Sequence, residues 1–215
     1  NATGGSGNLE ASDFKLSLSG GNAKLSSETP SSIVISGNTY TLGVSLTGTA
    51  NGQEVLTVLP SSSSAIYDAE NNPASITQDN LNSIFLADKT PAIIAKSNQL
   101  FNEHVDIYFD DPVFSRNSNY GNLDANDFIY TIAGGTATLA SNKPSSVVGK
   151  ARYDGTQPEG GYYKLGISLS GVPNGEEKLT VSVADNAVYD AMGNVSVKAD
   201  AKTTVSLVKS KMLSK

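Results

Sequence analysis

The sequence predicts an all-β protein made of two tandem β-sandwich domains. Three observations support this prediction. One block of sequence occurs twice along the chain. Within each copy, apolar and polar residues alternate, which is typical of strands with one buried and one solvated face. Tight-turn signals, such as Asn51-Gly52 and Asn174-Gly175, separate the alternating runs.

The internal repeat is the strongest of the three signals. Residues 8–14 (NLEASDF) recur as residues 122–128 (NLDANDF), so Phe14 corresponds to Phe128 at an offset of 114. Residues 40–48 recur as residues 163–171 at an offset of 123, so the second copy contains nine additional residues. The insertion lies within residues 150–161, a polar and glycine-rich stretch that we expect to form a surface loop.

The alternating runs identify the strands and their buried faces. Apolar residues at every second position predict side chains that point into the core of each copy. No apolar stripe of helical period competes with this pattern, so we expect almost no helix. The positions predicted to be buried are Phe14, Leu16, Leu18, Leu42, Val44 and Leu46 in the first copy, and Phe128, Tyr130, Ile132, Leu165, Ile167 and Leu169 in the second.

The predicted domains are residues 1–88 and 89–215, joined near Pro91. The first is predicted to lack its N-terminal strands, because the counterpart of Val105, Ile107 and Phe109 would lie before residue 1. Three explanations stay open: the sequence starts partway through this domain, an upstream segment completes it, or a neighbouring chain donates a strand. We favour the first; residues 203–208 and 209–215 are the candidate donors for the third, although Val205 and Leu207 align with Ile84 and Leu86 and are therefore expected to close the second copy itself.

Composition narrows the classes of function. The net charge of −6 and the pI of about 4.7 argue against a nucleic-acid partner. Cysteine is absent, which removes thiol nucleophiles and a disulfide scaffold. His104 is the one histidine and has no nucleophile motif beside it, so we predict that the protein is not an enzyme. No apolar run approaches the roughly 20 residues of a membrane span.

The order of the repeated motifs resembles a known family. Each copy contains Gly-Gly-x-Ala-x-Leu (residues 20–25 and 134–139), then Tyr-x-Leu-Gly-(Val/Ile)-Ser-Leu-x-Gly, and later Tyr-Asp-Ala (residues 67–69 and 189–191). This order is similar to that of bacterial immunoglobulin-like repeats in large secreted and cell-surface adhesins, including the SwmB-type and gliding-adhesin-like arrays of marine bacteria. The resemblance implies two tandem immunoglobulin-like Greek-key β-sandwich domains. The cysteine and tryptophan core of antibody domains is missing.

The resemblance also implies a function. It predicts a non-catalytic structural or adhesive repeat segment of an extracellular surface protein or fibre, with neighbouring repeats or subunits as its partners. One alternative is a module that binds carbohydrate or a surface receptor through residues 153–163, with Tyr153, Tyr162 and Tyr163 as the candidate ligand-binding residues. Another alternative is a decoration or fibre protein on the surface of a phage virion.

Calcium is the one candidate cofactor, because Asp and Asn side chains supply the oxygen ligands that it prefers. The candidate ligands form two groups: Asn122, Asp124, Asn126 and Asp127 in the second copy, and Asp88, Asp110 and Asp111 near the predicted domain boundary. The glycine and distal glutamate of an EF-hand are missing. The competing interpretations are a polar loop leading into a strand and a solvated strand face.

Two further pairs of oxygen donors belong to the Tyr-Asp-Ala motifs. Asp68 is followed by Asn72, and Asp190 is followed by Asn194 at the same spacing. Because Asp side chains accept hydrogen bonds from backbone N–H groups two to four residues on, we expect both to close hairpin turns. Calcium binding is the alternative for these residues as well.

Overall fold

The computed structural model describes residues 7–77, 82–117, 120–150 and 160–209. These residues form several small antiparallel sheets and two single turns of 3₁₀ helix, Ala11–Asp13 and Ala125–Asp127, which confirms the all-β prediction. None of their helices has the length and apolar character needed to cross a membrane. The chain divides into two compact units, Asn1–Thr90 (unit 1) and Pro91–Lys215 (unit 2).

The described part of unit 1 contains three antiparallel sheets. Their strand orders are β1-β6-β7, β2-β5 and β3-β4, with strands at β1 (Phe14–Ser19), β2 (Lys24–Leu25), β3 (Ser32–Ser36), β4 (Thr39–Gly43), β5 (Leu46–Thr47), β6 (Val55–Pro60) and β7 (Ser83–Phe85).

The described part of unit 2 has a larger four-stranded sheet. The strands of unit 2 are β8 (Ile94–Phe101), β9 (His104–Phe109), β10 (Val113–Phe114), β11 (Phe128–Ala133), β12 (Thr138–Leu139), β13 (Val147–Lys150), β14 (Tyr162–Gly166), β15 (Leu169–Ser170), β16 (Lys178–Val183), β17 (Tyr189–Asp190) and β18 (Lys202–Ser206). The sheet orders are β13-β14-β9-β8, β11-β16-β18, β10-β17 and β12-β15.

The two units pair their shared strands in the same register. In unit 1, Leu16 of β1 lies opposite Val58 of β6; in unit 2, the corresponding Tyr130 of β11 lies opposite Val181 of β16. The pairs β2-β5, β3-β4 and β6-β7 likewise correspond to β12-β15, β13-β14 and β16-β18. The sequence repeat is therefore a repeat of sheet pairing as well.

The core of unit 2 lies between its two largest sheets. Phe109 of β9 and Tyr163 of β14 project from the four-stranded sheet, and Phe128 of β11 projects from the three-stranded sheet. The Tyr163 ring packs edge-on against Phe109, with ring centres 6.1 Å apart, and tilted against Phe128 at 6.3 Å. The hydroxyl of Tyr130 donates to the carbonyl of Gly166 across the same core (3.2 Å).

The burial predictions hold at four of the six positions in unit 2 and at one of the six in unit 1. In unit 2, Phe128, Tyr130, Leu165 and Ile167 are buried, and the other two predicted positions, Ile132 and Leu169, are half-buried. In unit 1 the one fully buried position of the predicted six is Leu16; Phe14, Leu18, Leu42 and Val44 are half-buried, and Leu46 is exposed.

The reason for this difference is the number of strands available to cover the core. Strands β8 and β9 close one side of unit 2, whereas no described strand of unit 1 pairs with the second edge of β4. Segment 203–208 closes unit 2, as its alignment with residues 84–86 predicts, because β18 pairs with β16 and Leu207 is buried within unit 2. Residues 210–215 of the second candidate donor lie outside the described residues.

We expect Leu165→Ala to destabilise unit 2 by about 2–5 kcal/mol, because it leaves a cavity at a fully buried position. Val148→Ala is the matched control, since Val148 belongs to the neighbouring strand β13 but is 65% exposed, and it should change stability by about 0.5 kcal/mol at most. Urea unfolding followed by NMR signals of unit 2 measures both variants. Equal losses of unfolding stability in the two variants would contradict the burial of Leu165 in the core.

Candidate functional site

Each unit contains a glutamate whose side chain is completely buried. In unit 2 this residue is Glu177, in the turn before β16. Its Oε1 accepts hydrogen bonds from the backbone N–H groups of Thr136 (2.8 Å), Ala137 (3.0 Å) and Asn174 (3.1 Å), and its Oε2 accepts one from Gly175 (3.0 Å). The carboxylate thereby connects the loop between β11 and β12 to the turn between β15 and β16.

Glu54 forms the same arrangement in unit 1. Its Oε1 accepts from the N–H groups of Asn22 (2.7 Å) and Ala23 (2.9 Å), and its Oε2 accepts from the N–H of Asn51 (3.0 Å). It connects the loop between β1 and β2 to the turn between β5 and β6. We call each of these arrangements, Glu54 or Glu177 with its backbone donors, a carboxylate clamp.

The clamps keep both carboxyl groups ionised. Burial alone would favour the neutral acid, because it removes the charge from water. The backbone N–H donors, with that of Ala137 first, outweigh burial and lower the pKa of Glu177 to about 2. Burial likewise opposes ionisation of Glu54, and the N–H of Ala23 and its neighbours lowers its pKa below the usual value. A general acid needs the opposite shift, so neither glutamate has the raised pKa of that role.

Glycine is required where the backbone passes each clamp. Gly135 has φ of +65°, and a Cβ built on it would lie 2.1 Å from Cδ of Glu177. Gly21 has φ of +54° and the same 2.1 Å separation from Cδ of Glu54. The Gly-Gly-x-Ala motif is thus explained by close approach to the glutamate. The clamps were not predicted from the sequence, although glutamate occupies the same position of the repeat in both copies.

The structure confirms the turn interpretation of the Tyr-Asp-Ala motifs. Oδ1 of Asp190 accepts from the N–H groups of Met192 (2.8 Å) and Asn194 (2.9 Å), and its Oδ2 accepts from Nδ2 of Asn194 (2.8 Å). Asp68 makes the corresponding bonds to the backbone and side chain of Asn72 in unit 1 (2.8 and 2.9 Å). Both carboxylates are therefore engaged within their own turns.

The first group of predicted calcium ligands surrounds the 3₁₀ turn Ala125–Asp127. Oδ2 of Asp127 accepts from the N–H of Asp124 (2.7 Å), and Oδ1 of Asp124 accepts from the N–H of Asn126 (2.6 Å). Burial raises the pKa of the Asp127 carboxyl. Asn122 lies with Asp124 along a shallow surface groove. The carboxylates cap the turn, and calcium binding by this group stays a prediction.

The second group of predicted calcium ligands divides between the units. Asp88 lies in unit 1, where its Oδ1 accepts from the N–H of Thr90 (2.8 Å). Asp110 and Asp111 lie in unit 2, where Oδ1 of Asp110 accepts from the N–H of Ile93 (2.7 Å). Across the described ranges of the chain, no cluster of three or more histidine or acidic side chains is arranged to hold a metal ion.

The predicted ligand-binding tyrosines have different surroundings. Tyr153 lies outside the described residues. Tyr162 is half-buried, donates its hydroxyl to Oδ1 of Asp106 (3.1 Å), and packs against the ring of Tyr108 at 5.2 Å. Tyr163 is only 1% exposed and belongs to the core. A sugar-stacking surface needs exposed ring faces, and Tyr163 presents none.

An exposed apolar surface of unit 1 lies beside β4. An open groove there is lined by side chains that include Phe14, Tyr40 and Leu42, and it extends to Ile84 of β7. Ile84 and its neighbour Phe85 are 64% and 68% exposed. Because contiguous apolar surface of this kind marks interaction sites, the groove and the open edge of β4 form the second candidate site.

The Glu177 clamp predicts a specific pH dependence. The pKa of Glu177 is lower in the folded protein than its usual value of 4.5, so the unfolded chain binds more protons in acid. The stability from this group should be complete above about pH 5.5 and be lost as the pH falls through about 4.5 towards 2. Glu177→Gln should therefore lose less stability than the wild type between pH 6 and pH 3.

Urea unfolding at several pH values measures this difference. At neutral pH, Glu177→Gln should also lower Tm by about 5–10 °C, because the amide nitrogen cannot accept from backbone N–H groups. Glu176→Gln is the matched control, since the neighbouring Glu176 side chain is exposed, and it should keep the wild-type profile. The same pH profile in Glu177→Gln and the wild type would argue against the clamp.

The glycine beside the clamp provides a second test. Gly135→Ala should lower Tm more than Gly37→Ala, although both glycines have positive φ (+65° and +57°). The alanine at 135 would collide with Glu177, whereas a Cβ at Gly37 would meet no atom within 4 Å. Backbone strain alone is worth about 1–2 kcal/mol, and Gly37→Ala should show no more than that. Equal Tm losses would contradict the close approach at Gly135.

Comparison with known proteins found no match to the chain. No protein-family model matches it, and neither the curated proteins nor the solved structures give a significant match. The resemblance to bacterial immunoglobulin-like repeats therefore rests on the sequence motifs.

Proposed function

We propose that this chain is a non-catalytic structural repeat segment of an extracellular surface protein or fibre, built from two immunoglobulin-like units. The observation that carries the proposal is the repetition of one framework, with the same strand register and the same buried carboxylate clamp in both units. Repetition of a stable unit is how stalks gain length, because each unit maintains its own shape. The extracellular location rests on the motif resemblance.

The path of the chain through unit 2 supports the immunoglobulin-like part of the proposal. Strands β8 and β9 lie in the four-stranded sheet, β11 lies in the facing sheet, β13 and β14 return to the first, and β16 and β18 belong to the second. Both sheets contribute to one core. Antiparallel sheets linked by connections that cross between them are typical of Greek-key sandwiches.

The surroundings of the ionisable groups support a non-catalytic role. Glu54 and Glu177 are buried and bound to backbone donors, and Asp68 and Asp190 close turns. His104 opens β9 and lies opposite Gly166 of β14 in the sheet. The four carboxylates are thus occupied by hydrogen bonds within the fold, and His104 belongs to a paired strand.

A binding module acting through residues 153–163 has less support. Of its three candidate tyrosines, Tyr163 is buried in the core, and the hydroxyl of Tyr162 is bound to Asp106. The structural role accounts for both of these positions without a ligand.

Force spectroscopy tests the structural role. Pulling the chain from its two ends should give two separate unfolding events, one for each unit. Glu177→Gln should weaken only the event that belongs to unit 2, and Glu54→Gln only that of unit 1, because each clamp lies within its own unit. A single event, or unfolding without a measurable force peak, would contradict the proposal.

A glycan array separates the structural role from the binding alternative. The wild type, Tyr162→Ala and a deletion of residues 154–159 should all give background signal. The deletion retains Gly160, which is buried against the carbonyl oxygen of Phe109. A wild-type signal that Tyr162→Ala and the deletion both abolish would favour the binding module instead.

A further inference from the structure

The two carboxylate clamps differ at the Asn-Gly turns beside them. In unit 2 the turn contains Asn174 and Gly175, and the N–H of Gly175 donates to Oε2 of Glu177 (3.0 Å). In unit 1 the corresponding turn contains Asn51 and Gly52, and the N–H of Gly52 has no hydrogen-bond partner among the described residues. One clamp therefore holds the glycine nitrogen of its turn, and the other leaves that nitrogen free.

The asparagine side chains of the two turns also have different partners. The Asn174 amide is bound at both ends to Glu176: its Nδ2 donates to Oε2 (3.2 Å), and its Oδ1 accepts from the backbone N–H (3.0 Å). The Asn51 amide faces the clamp instead, with its nitrogen 3.2 Å from each carboxylate oxygen of Glu54. The nitrogen takes this place because an amide oxygen there would face two acceptors without a donor. The Asn51 side chain is thus a further donor to the unit 1 clamp.

An Asn-Gly pair carries the groups for a reaction within the chain. The glycine nitrogen attacks Cγ of the asparagine, the Cγ–Nδ2 bond breaks, and ammonia leaves with the proton of the glycine nitrogen. Water then opens the resulting succinimide ring at either carbonyl, which gives aspartate or isoaspartate. Glycine favours ring closure because it has no Cβ to obstruct the approach. The attacking nitrogen must lose its proton and turn towards Cγ, so a hydrogen bond that holds its N–H slows the reaction.

We propose that Asn51-Gly52 is a site of spontaneous deamidation, and that the aspartate or isoaspartate formed there weakens the unit 1 clamp. The free N–H of Gly52 permits attack in the folded chain, and both residues are half-buried, so water reaches them. At Asn174 the turn must open first, because the N–H of Gly175 is bound to an ionised carboxylate. This chemistry is independent of the structural role proposed above.

The product changes the clamp in two ways. Aspartate at position 51 replaces a donor 3.2 Å from the Glu54 oxygens with a second carboxylate, and like charges at this distance repel each other. Isoaspartate also lengthens the main chain by a methylene group, at the residue whose N–H donates to Oε2 of Glu54 (3.0 Å). Both products should therefore destabilise unit 1 and leave the stability of unit 2 unchanged.

Incubation of the full-length chain in mildly alkaline buffer, followed by proteolysis and peptide mass spectrometry, tests the site of reaction. Conversion at Asn51 should be at least about tenfold faster than at Asn174, because a hydrogen bond to a charged group must break before Gly175 reacts. In concentrated urea the two pairs should convert at similar rates, since neither clamp is then formed. Equal rates in the folded chain, or an unchanged difference in urea, would overturn the proposal.

Two variants test the effect on the clamp. Asn51→Asp reproduces the aspartate product and should lower the Tm of unit 1 by at least about 4 °C, followed by NMR signals of that unit. Asn174→Asp is the matched control. Its side chain contacts the exposed Glu176, where water screens the added charge, so it should lower the Tm of unit 2 by less. An unchanged unit 1 Tm in Asn51→Asp would refute the weakening of the clamp.

Incubated wild-type protein connects the two measurements. The fraction of unit 1 that unfolds at a lowered Tm should match the fraction converted at Asn51. Asn51→Gln should keep its starting Tm through the same incubation, because the longer glutamine side chain closes the corresponding ring far more slowly. An equal loss of unit 1 stability in incubated Asn51→Gln would assign the weakening to another change in the chain and overturn the proposal.

Discussion

A buried carboxylate holds the framework of each unit together. Burying a charge is normally unfavourable, and so is burying backbone N–H groups that have no acceptor. Here the buried carboxylate and the buried N–H groups satisfy each other. Loops about 30–40 residues apart in sequence direct their free N–H groups at one glutamate. Removing the carboxylate would leave several donors unsatisfied at once.

The clamps determine how closely neighbouring loops can approach. Gly21 and Gly135 pass so near to the glutamates that any side chain would overlap the carboxylate. With these loops fixed, β1 meets β6 and β11 meets β16 in the same register. The units share this framework and differ in what covers it. Strands β8 and β9 close unit 2, whereas the described part of unit 1 keeps an exposed edge beside Tyr40.

Much of the fold could be predicted because its signals are local. Alternation in residues 128–132 requires only that a strand has two faces, and it correctly identified Phe128 and Tyr130 as buried. The same alternation failed at Leu46, because burial depends on whether another strand covers the face. The Asp190 turn was also predictable, since its acceptor and donors lie within five residues of each other.

By itself, the sequence determined the all-β class, the two copies and their turns, because these depend on neighbouring residues and on a repeat visible in the chain. Only the tertiary structure decided that Glu177 is buried while the adjacent Glu176 is exposed. Two adjacent glutamates in a polar turn belong to no alternating pattern that would separate them. Their surroundings differ because loops and sheets brought from distant parts of the chain meet one side chain and not the other.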